Sequence, residues 1–371
     1  MRLTPALFNH AEALLAELFA TTFPADSVVS RYFRQQPKLG HAERGFIAEA
    51  VYAVLRHKRS LAARCGERVS SRRLLLAWLA CGQGMNRREL DGLLSESEAK
   101  WLAQAKAVKL DALPPAVRLD LPDWLYEILV GRFSVEELEA LANSLNQSAP
   151  LDLRVNPLKT RRDELLARLQ ADGLAAAACT YSPLGIRLAD KPSLARHPCF
   201  LDGSFEVQDE GSQLLGFLLQ PKRGEMIADF CAGAGGKTLL IGALMRSHGR
   251  LYAFDVAEKR LSKLKPRLAR SGLSNVHPVR IESENDIRIK RLGGKLDRVL
   301  VDAPCSGLGT LRRNPDLKWR QTPESVSELA SRQAAILQAA AALLKPGGRL
   351  VYATCSLLEA ENEAVVAAFL A

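Results

Sequence analysis

The stretch EMIADFCAGAGGKT, residues 225–238, decides the fold. An apolar run of strand length leads into Gly233, Gly235 and Gly236, and a helix is expected from about Lys237. Glycines at such a junction let the backbone turn tightly and approach a ligand closely before a helix N-terminus. Spacing excludes two phosphate-binding motifs. A phosphate loop ending in Gly236-Lys237-Thr238 needs glycine at position 231, which is Cys231. The dinucleotide fingerprint needs one three residues after Gly235, where Thr238 stands.

Four more runs of the same kind follow: RLYAFDVA (250–257), VHPVRIE (276–282), DRVLVDAPC (297–305) and RLVYATCS (349–356). Helical stretches separate them, a pattern that predicts a parallel sheet covered on both faces, with ligands gathered at the carboxyl ends of the strands. A glycine-rich first turn without either phosphate motif fits S-adenosylmethionine. Asp255, about twenty positions later at the end of the second run, suits the two hydroxyls of an adenosine ribose, and it can also cap the helix that follows. Two thiols, Cys305 and Cys355, are expected at the same edge, each followed by a serine.

Upstream the pattern changes. Thr4 and Pro5 sit as a helix cap and first-turn proline, and apolar residues recur at helical spacing through RGFIAEAVYAVLRHKRSL (44–61) and RRLLLAWLACG (72–82). Residues 1–115 therefore read as an all-helical domain. Pro114, Pro115 and Pro122 break the periodicity and mark a linker. Strand-like PLDLRVN, ACTYS and GIRLA around helical RRDELLARLQADG make 116–205 a linker followed by a small α+β subdomain, and 206–371 holds the parallel sheet.

Composition sets further bounds. With 371 residues, 47% of them hydrophobic, the chain can bury large cores. It has no unbroken apolar stretch of membrane-spanning length, and its first twenty residues lack the apolar core of a secretory signal. Seven cysteines without zinc-type spacing point to reduced thiols, a cytoplasmic protein and no bound metal. The net charge is +10, and residues 256–320 alone carry 16 Lys and Arg against 7 Asp and Glu. Such a basic region attracts a polyanion, although EKRLSKLKPRLARSGL (258–273) is also compatible with a solvated helix face. Within GTLRRNPDLKWR (309–320), Arg312, Arg313, Lys318 and Arg320 beside Trp319 suit phosphate contact and base stacking around an extruded nucleotide, although Trp319 is equally compatible with a core position.

VQDEGSQLL (207–215), DFCAGAGGKT (229–238), LVDAPCSGLGTLRRNPDLKW (300–319) and PGGRLVYATCS followed by EAENE (346–363) together resemble the RsmB/Sun type of RNA (cytosine-5)-methyltransferases, in order and spacing, over residues 206–371. More loosely, 1–115 resembles the NusB-like helical RNA-binding domain of the bacterial ribosomal RNA members, and 120–205 resembles their small RNA-binding subdomain. The resemblance implies methyl transfer from S-adenosylmethionine to carbon 5 of a cytosine in RNA, 16S ribosomal RNA first, by a monomer. A thiolate adding to carbon 6 would make carbon 5 nucleophilic. Spacing alone does not say which thiol attacks. By resemblance Cys355 is the nucleophile, Cys305 aids release and Asp302 touches the base or the cofactor's amino group. Cofactor contacts fall to Cys231, Ala232, Gly233, Ala234, Gly235, Gly236, Lys237, Asp255, Asp302 and Asp286, with Glu282 and Glu284 as rivals to Asp286. Gly233-Ala234 stands where the family usually has Ala-Pro, so a looser loop is expected. Two other functions compete: a methyltransferase acting on a protein or small molecule, and a catalytically silent RNA-binding assembly factor. Sheets of this type usually add two strands after the fifth, so the expectation is a Rossmann-like α/β domain in a C-terminally shortened chain, its fifth strand near an exposed edge.

Overall fold

The Thr4 hydroxyl accepts a hydrogen bond from the Leu7 N–H at 3.3 Å and Pro5 occupies the first turn, which starts the helix Pro5–Phe19. The computed structural model describes residues 3–371, and the chain divides into two units. One runs to Ser148 and takes in Ser306–Ser325; the other comprises Ala149–Cys305 and Val326–Ala371.

The first unit is helical, with Ala25–Gln35, His41–Arg56, Lys58–Cys65, Ser71–Ala77 and Glu96–Ala107 following the first helix. Phe8, Leu14, Leu15, Ile47, Val51, Val54, Leu74 and Leu75 fill its core. The proline-rich stretch is not an extended linker. Pro115 begins a helical turn, Pro115–Arg118, and the helices Asp123–Val130 and Val135–Leu145 follow. Proline is tolerated at a helix start because its missing N–H would have no partner there, so lost periodicity marked a join between helices.

In the second unit a small antiparallel sheet, order β2-β3-β1-β4, is built from β1 (Leu151–Val155), β2 (Ala176–Ala178), β3 (Gly185–Leu188) and β4 (Phe205–Val207), with Arg162–Ala171 as its helix. The strand expected in ACTYS lies just upstream instead. Cys179 closes that strand by pairing its N–H with Gly185 O, and Ser182 then turns the chain. The three-residue β4 was not anticipated.

The parallel sheet consists of β5 (Met226–Asp229), β6 (Arg250–Asp255), β7 (Val276–Arg280), β8 (Leu296–Asp302) and β9 (Leu344–Ala353), in the order β7-β6-β5-β8-β9. Its strands bury alternate residues on opposite faces, Val299 and Val301 with Phe230, Phe254 and Ile336, and Leu300 with Ile227, Ile241 and Leu251. Strand order reverses on either side of β5, which opens a crevice at the carboxyl ends of β5 and β8.

Candidate functional site

At that crevice Cys231, Ala232, Gly233, Ala234, Asp255, Asp302, Cys305 and Cys355 line one cavity of about 830 Å³, with Phe230, Ile281, Pro304 and Ile336 among its apolar walls. Its size is that of a small-molecule site. Gly236 and Lys237 face a smaller neighbouring cavity of about 270 Å³, whose wall includes Asp229 and Asp302. Gly235 lines neither. It holds φ = +80° as the cap of the helix Gly236–Leu244, and a Cβ there would fall 2.1 Å from Leu264 Cδ1. Only glycine fits that position.

Three hydrogen bonds reach the loop. Arg267 donates to Ala234 O at 2.7 Å, Arg154 donates to Gly236 O at 2.5 Å, and the Gly233 N–H donates to Asp255 Oδ2 at 2.7 Å. Arg267 is itself held by Glu206, which also binds Arg270. Arg154 is fully buried and donates as well to Gln208, and burial brings its guanidinium down to about 9. These clasps from the small sheet and the helix Leu264–Ser271 stand in for the absent proline.

Asp255 braces two backbone N–H groups and also lines the cavity. Its Oδ1 accepts from the Ala257 N–H at 2.7 Å and its Oδ2 from Gly233, leaving each oxygen a further lone pair toward the cavity. Asp286 is different. Its carboxylate accepts from the Glu282 and Arg288 N–H groups and from the Arg288 guanidinium, which hold it well below the usual carboxylate range. It braces the turn after β7, whereas Glu282, Ser283 and Glu284 line the cavity. Of the three carboxylates expected after β7, Glu282 and Glu284 line the cavity and Asp286 does not.

Lys237 lies 2.5 Å from Asp302 Oδ2. Cys305 Sγ and Cys355 Sγ are 3.3 Å apart, and the Cys355 N–H also donates to Cys305 Sγ at 3.3 Å. The Cys355 thiol is shifted down, first by the hydrogen bond from Cys305 and then by Lys237, against burial and the charge of Asp302. Cys231 is the opposite case: burial beside Asp229, Asp255 and Asp302 pushes its thiol up, so it acts as wall. Cys65, Cys179 and Cys199 are buried and Cys81 is half-buried.

Asp229 escaped notice in the sequence. It is fully buried at the end of β5, Thr238 Oγ1 donates to its Oδ2 at 2.7 Å, and its Oδ1 has no partner. Burial raises it to about 6. An acid closing an apolar run directly before the glycines was the available signal. Arg260 and Arg332, both exposed, also line the larger cavity; their surroundings carried no motif.

The expected RNA-contacting group separates. Lys318 is 1% exposed, and its Nζ donates to Arg56 O and Asn146 Oδ1, both at 2.8 Å. Trp319 packs on the helical core and donates to Leu55 O at 2.8 Å. Lys318 is not free to meet a phosphate, and Trp319, half-buried, also anchors the segment inside the helical unit. Arg312 is half-buried and donates to Ser148 O at 3.0 Å; Arg313 and Arg320 are exposed.

Among known proteins, residues 216–371 match the 16S rRNA methyltransferase RsmB/F family and residues 121–195 match the ferredoxin-like domain of RsmF/B-like methyltransferases. The chain is 43% identical over 253 residues to the "Probable ribosomal RNA small subunit methyltransferase B" of Synechocystis, covering 67% of this chain and 56% of that protein. It is 37% identical to ribosomal RNA small subunit methyltransferase B of Sodalis glossinidius, covering 77% and 65%. This chain thus spans about three fifths of the length of these curated relatives. A methyltransferase homolog protein from Pyrococcus horikoshii of known structure superimposes with a TM-score of 0.62 at 32% identity, covering 71% of this chain and 83% of that one. Among the described residues no helix is long and apolar enough to cross a membrane.

Proposed function

Since the chain belongs to the RsmB/F methyltransferase family, we propose that it transfers a methyl group from S-adenosylmethionine to carbon 5 of a cytosine in RNA, 16S ribosomal RNA first. The observation that carries this is the pair of thiols, 3.3 Å apart, on the wall of the cavity that the glycine loop and Asp255 also line. The cavity's residues suit the cofactor: Asp255 the ribose hydroxyls, Glu282 or Glu284 the adenine amino group, and the backbone of 231–234 the body of the molecule. When bound, that cofactor supplies an electrophilic methyl group.

The chain's own groups do the rest. Cys355, its thiolate favoured by Cys305 and Lys237, adds to carbon 6 of the base and makes carbon 5 an enamine-like nucleophile. Asp302, oriented by Lys237, accepts a hydrogen bond from the pyrimidine edge or the cofactor's amino group. After methylation carbon 5 loses its proton and the C–S bond breaks, with Cys305 assisting. Arg312, Arg313 and Arg320 are the remaining candidates of their segment for phosphate contact.

The experiment is an adduct assay. Cys355→Ala should abolish methylation and keep cofactor binding, while Cys305→Ala should let a covalent RNA adduct accumulate. Adduct with Cys355→Ala and none with Cys305→Ala would reverse the two roles; no adduct with 5-fluorocytidine-substituted RNA in any form would overturn the covalent route.

A further inference from the structure

Cys305 and Cys355 follow neighbouring parallel strands, β8 and β9, in which Asp302 is paired with Ala353. Both thiols stand just past the ends of these strands, where the Cys355 N–H donates to Cys305 Sγ at 3.3 Å. The sulfur atoms are already 3.3 Å apart, against about 2.05 Å in the bond itself. Small side-chain rotations close such a gap. Catalysis alone, with one thiol on the base and another assisting, does not require mutual contact between the sulfurs in the absence of RNA.

We propose that this pair is an oxidative modification site, at which a peroxide converts Cys355 and Cys305 into a reversible disulfide. Cys355 is exposed, whereas Cys65, Cys179 and Cys199 are buried. An accessible thiolate is the form that peroxide attacks. The hydrogen bond from Cys305 is the main support for that form, and Lys237 adds to it against burial and Asp302. The Cys355 thiolate attacks one oxygen of hydrogen peroxide, the O–O bond breaks, and hydroxide leaves, giving a sulfenic acid. The Cys305 sulfur then attacks the Cys355 sulfur, the S–O bond breaks, and a second hydroxide leaves. Two thiols have lost two electrons and two protons, and one peroxide has become two waters. A resolving thiol in contact with the sulfenic acid outruns further oxidation to the sulfinic acid, which is irreversible for most proteins. The pair would thus withdraw the chain's most reactive thiol under oxidant and return it when a small thiol reduces the bond.

The inference needs only the geometry of the pair, so its test does not rely on methylation. The full chain is treated with one equivalent of hydrogen peroxide, quenched with an alkylating agent in denaturant so that buried thiols also react, and digested for mass spectrometry. The expected result is a peptide joining Cys305 to Cys355, two hydrogens lighter than the separate peptides, a fall from seven alkylatable thiols to five, and full reversal by dithiothreitol. Cys305→Ser should instead carry one or two added oxygens on Cys355. Wild-type chain that gains oxygen on Cys355 with no linked peptide, or that links other cysteines in preference, would overturn the proposal.

Discussion

Lys237 Nζ lies 2.5 Å from Asp302 Oδ2, and the two residues act on Cys355 with opposite sign, the lysine lowering its thiol and the aspartate raising it. The lysine offsets part of the effect of Asp302 on the neighbouring thiol. Lys237→Met removes the cation and leaves the carboxylate uncompensated, and both changes raise the Cys355 thiol. Alkylation of Cys355 by iodoacetamide should therefore need higher pH than in the wild type. Methylation at neutral pH should fall on the order of 10²-fold, the usual cost of removing one preorganised charge, and recover in part at alkaline pH.

Arg313 and Lys318 lie five residues apart in one segment and should answer differently to loss of charge. Arg313→Ala should lower the log–log salt slope of RNA binding by about 0.7–0.9, one phosphate contact. Lys318→Ala should leave the slope unchanged and destabilise the helical unit by about 2–4 kcal/mol, because it opens a cavity and orphans Arg56 O and Asn146 Oδ1. Filter binding across a salt series, with thermal melts of both variants, checks the contrast.

Asp229 gives a pH signature. Its folded carboxyl titrates at about 6, above the ordinary value of an unfolded aspartate, about 3.9. Between those values the native state holds the extra proton, so stability from this site is present below about pH 4 and is lost as pH rises through 6. Asp229→Asn should abolish that loss, worth up to about 3 kcal/mol. Melting midpoints of wild type and variant, measured from pH 4 to 7, should diverge in the variant's favour as pH rises.

Gly235→Ala should act through the backbone. The left-handed conformation alone costs a side chain about 1–3 kcal/mol, and the new Cβ would also collide with Leu264. Displacement of the loop should weaken cofactor binding more than it lowers the melting point of the helical unit. Isothermal titration with S-adenosylhomocysteine, beside a melt, separates the two effects.

The central strands β5, β6 and β8 were legible because well-buried parallel strands are apolar runs, and Asp255, Asp302, Cys305 and Cys355 were legible because they close such runs or follow them directly. What stayed hidden depended on distant partners. Lys318 and Trp319 have the composition of a nucleic-acid contact, yet their environment is set by Leu55 and Arg56, some 260 residues earlier. Asp286 is the exception, because the guanidinium that makes it a brace belongs to Arg288, only two residues on. The clasp on the glycine loop comes from Arg154 and Arg267, which no local spacing connects to it.

The return of Ser306–Ser325 to the helical unit has a consequence for synthesis on the ribosome. The amino-terminal helices emerge first, but the residues that satisfy Leu55 O and Arg56 O are translated some 260 residues later, about 13–50 s at ordinary elongation rates. Throughout that interval the nascent helices carry an open seam where Trp319 will pack. The first part of the chain to be made is thus among the last to be completed, and a chaperone that shelters apolar nascent surface has its longest opportunity there.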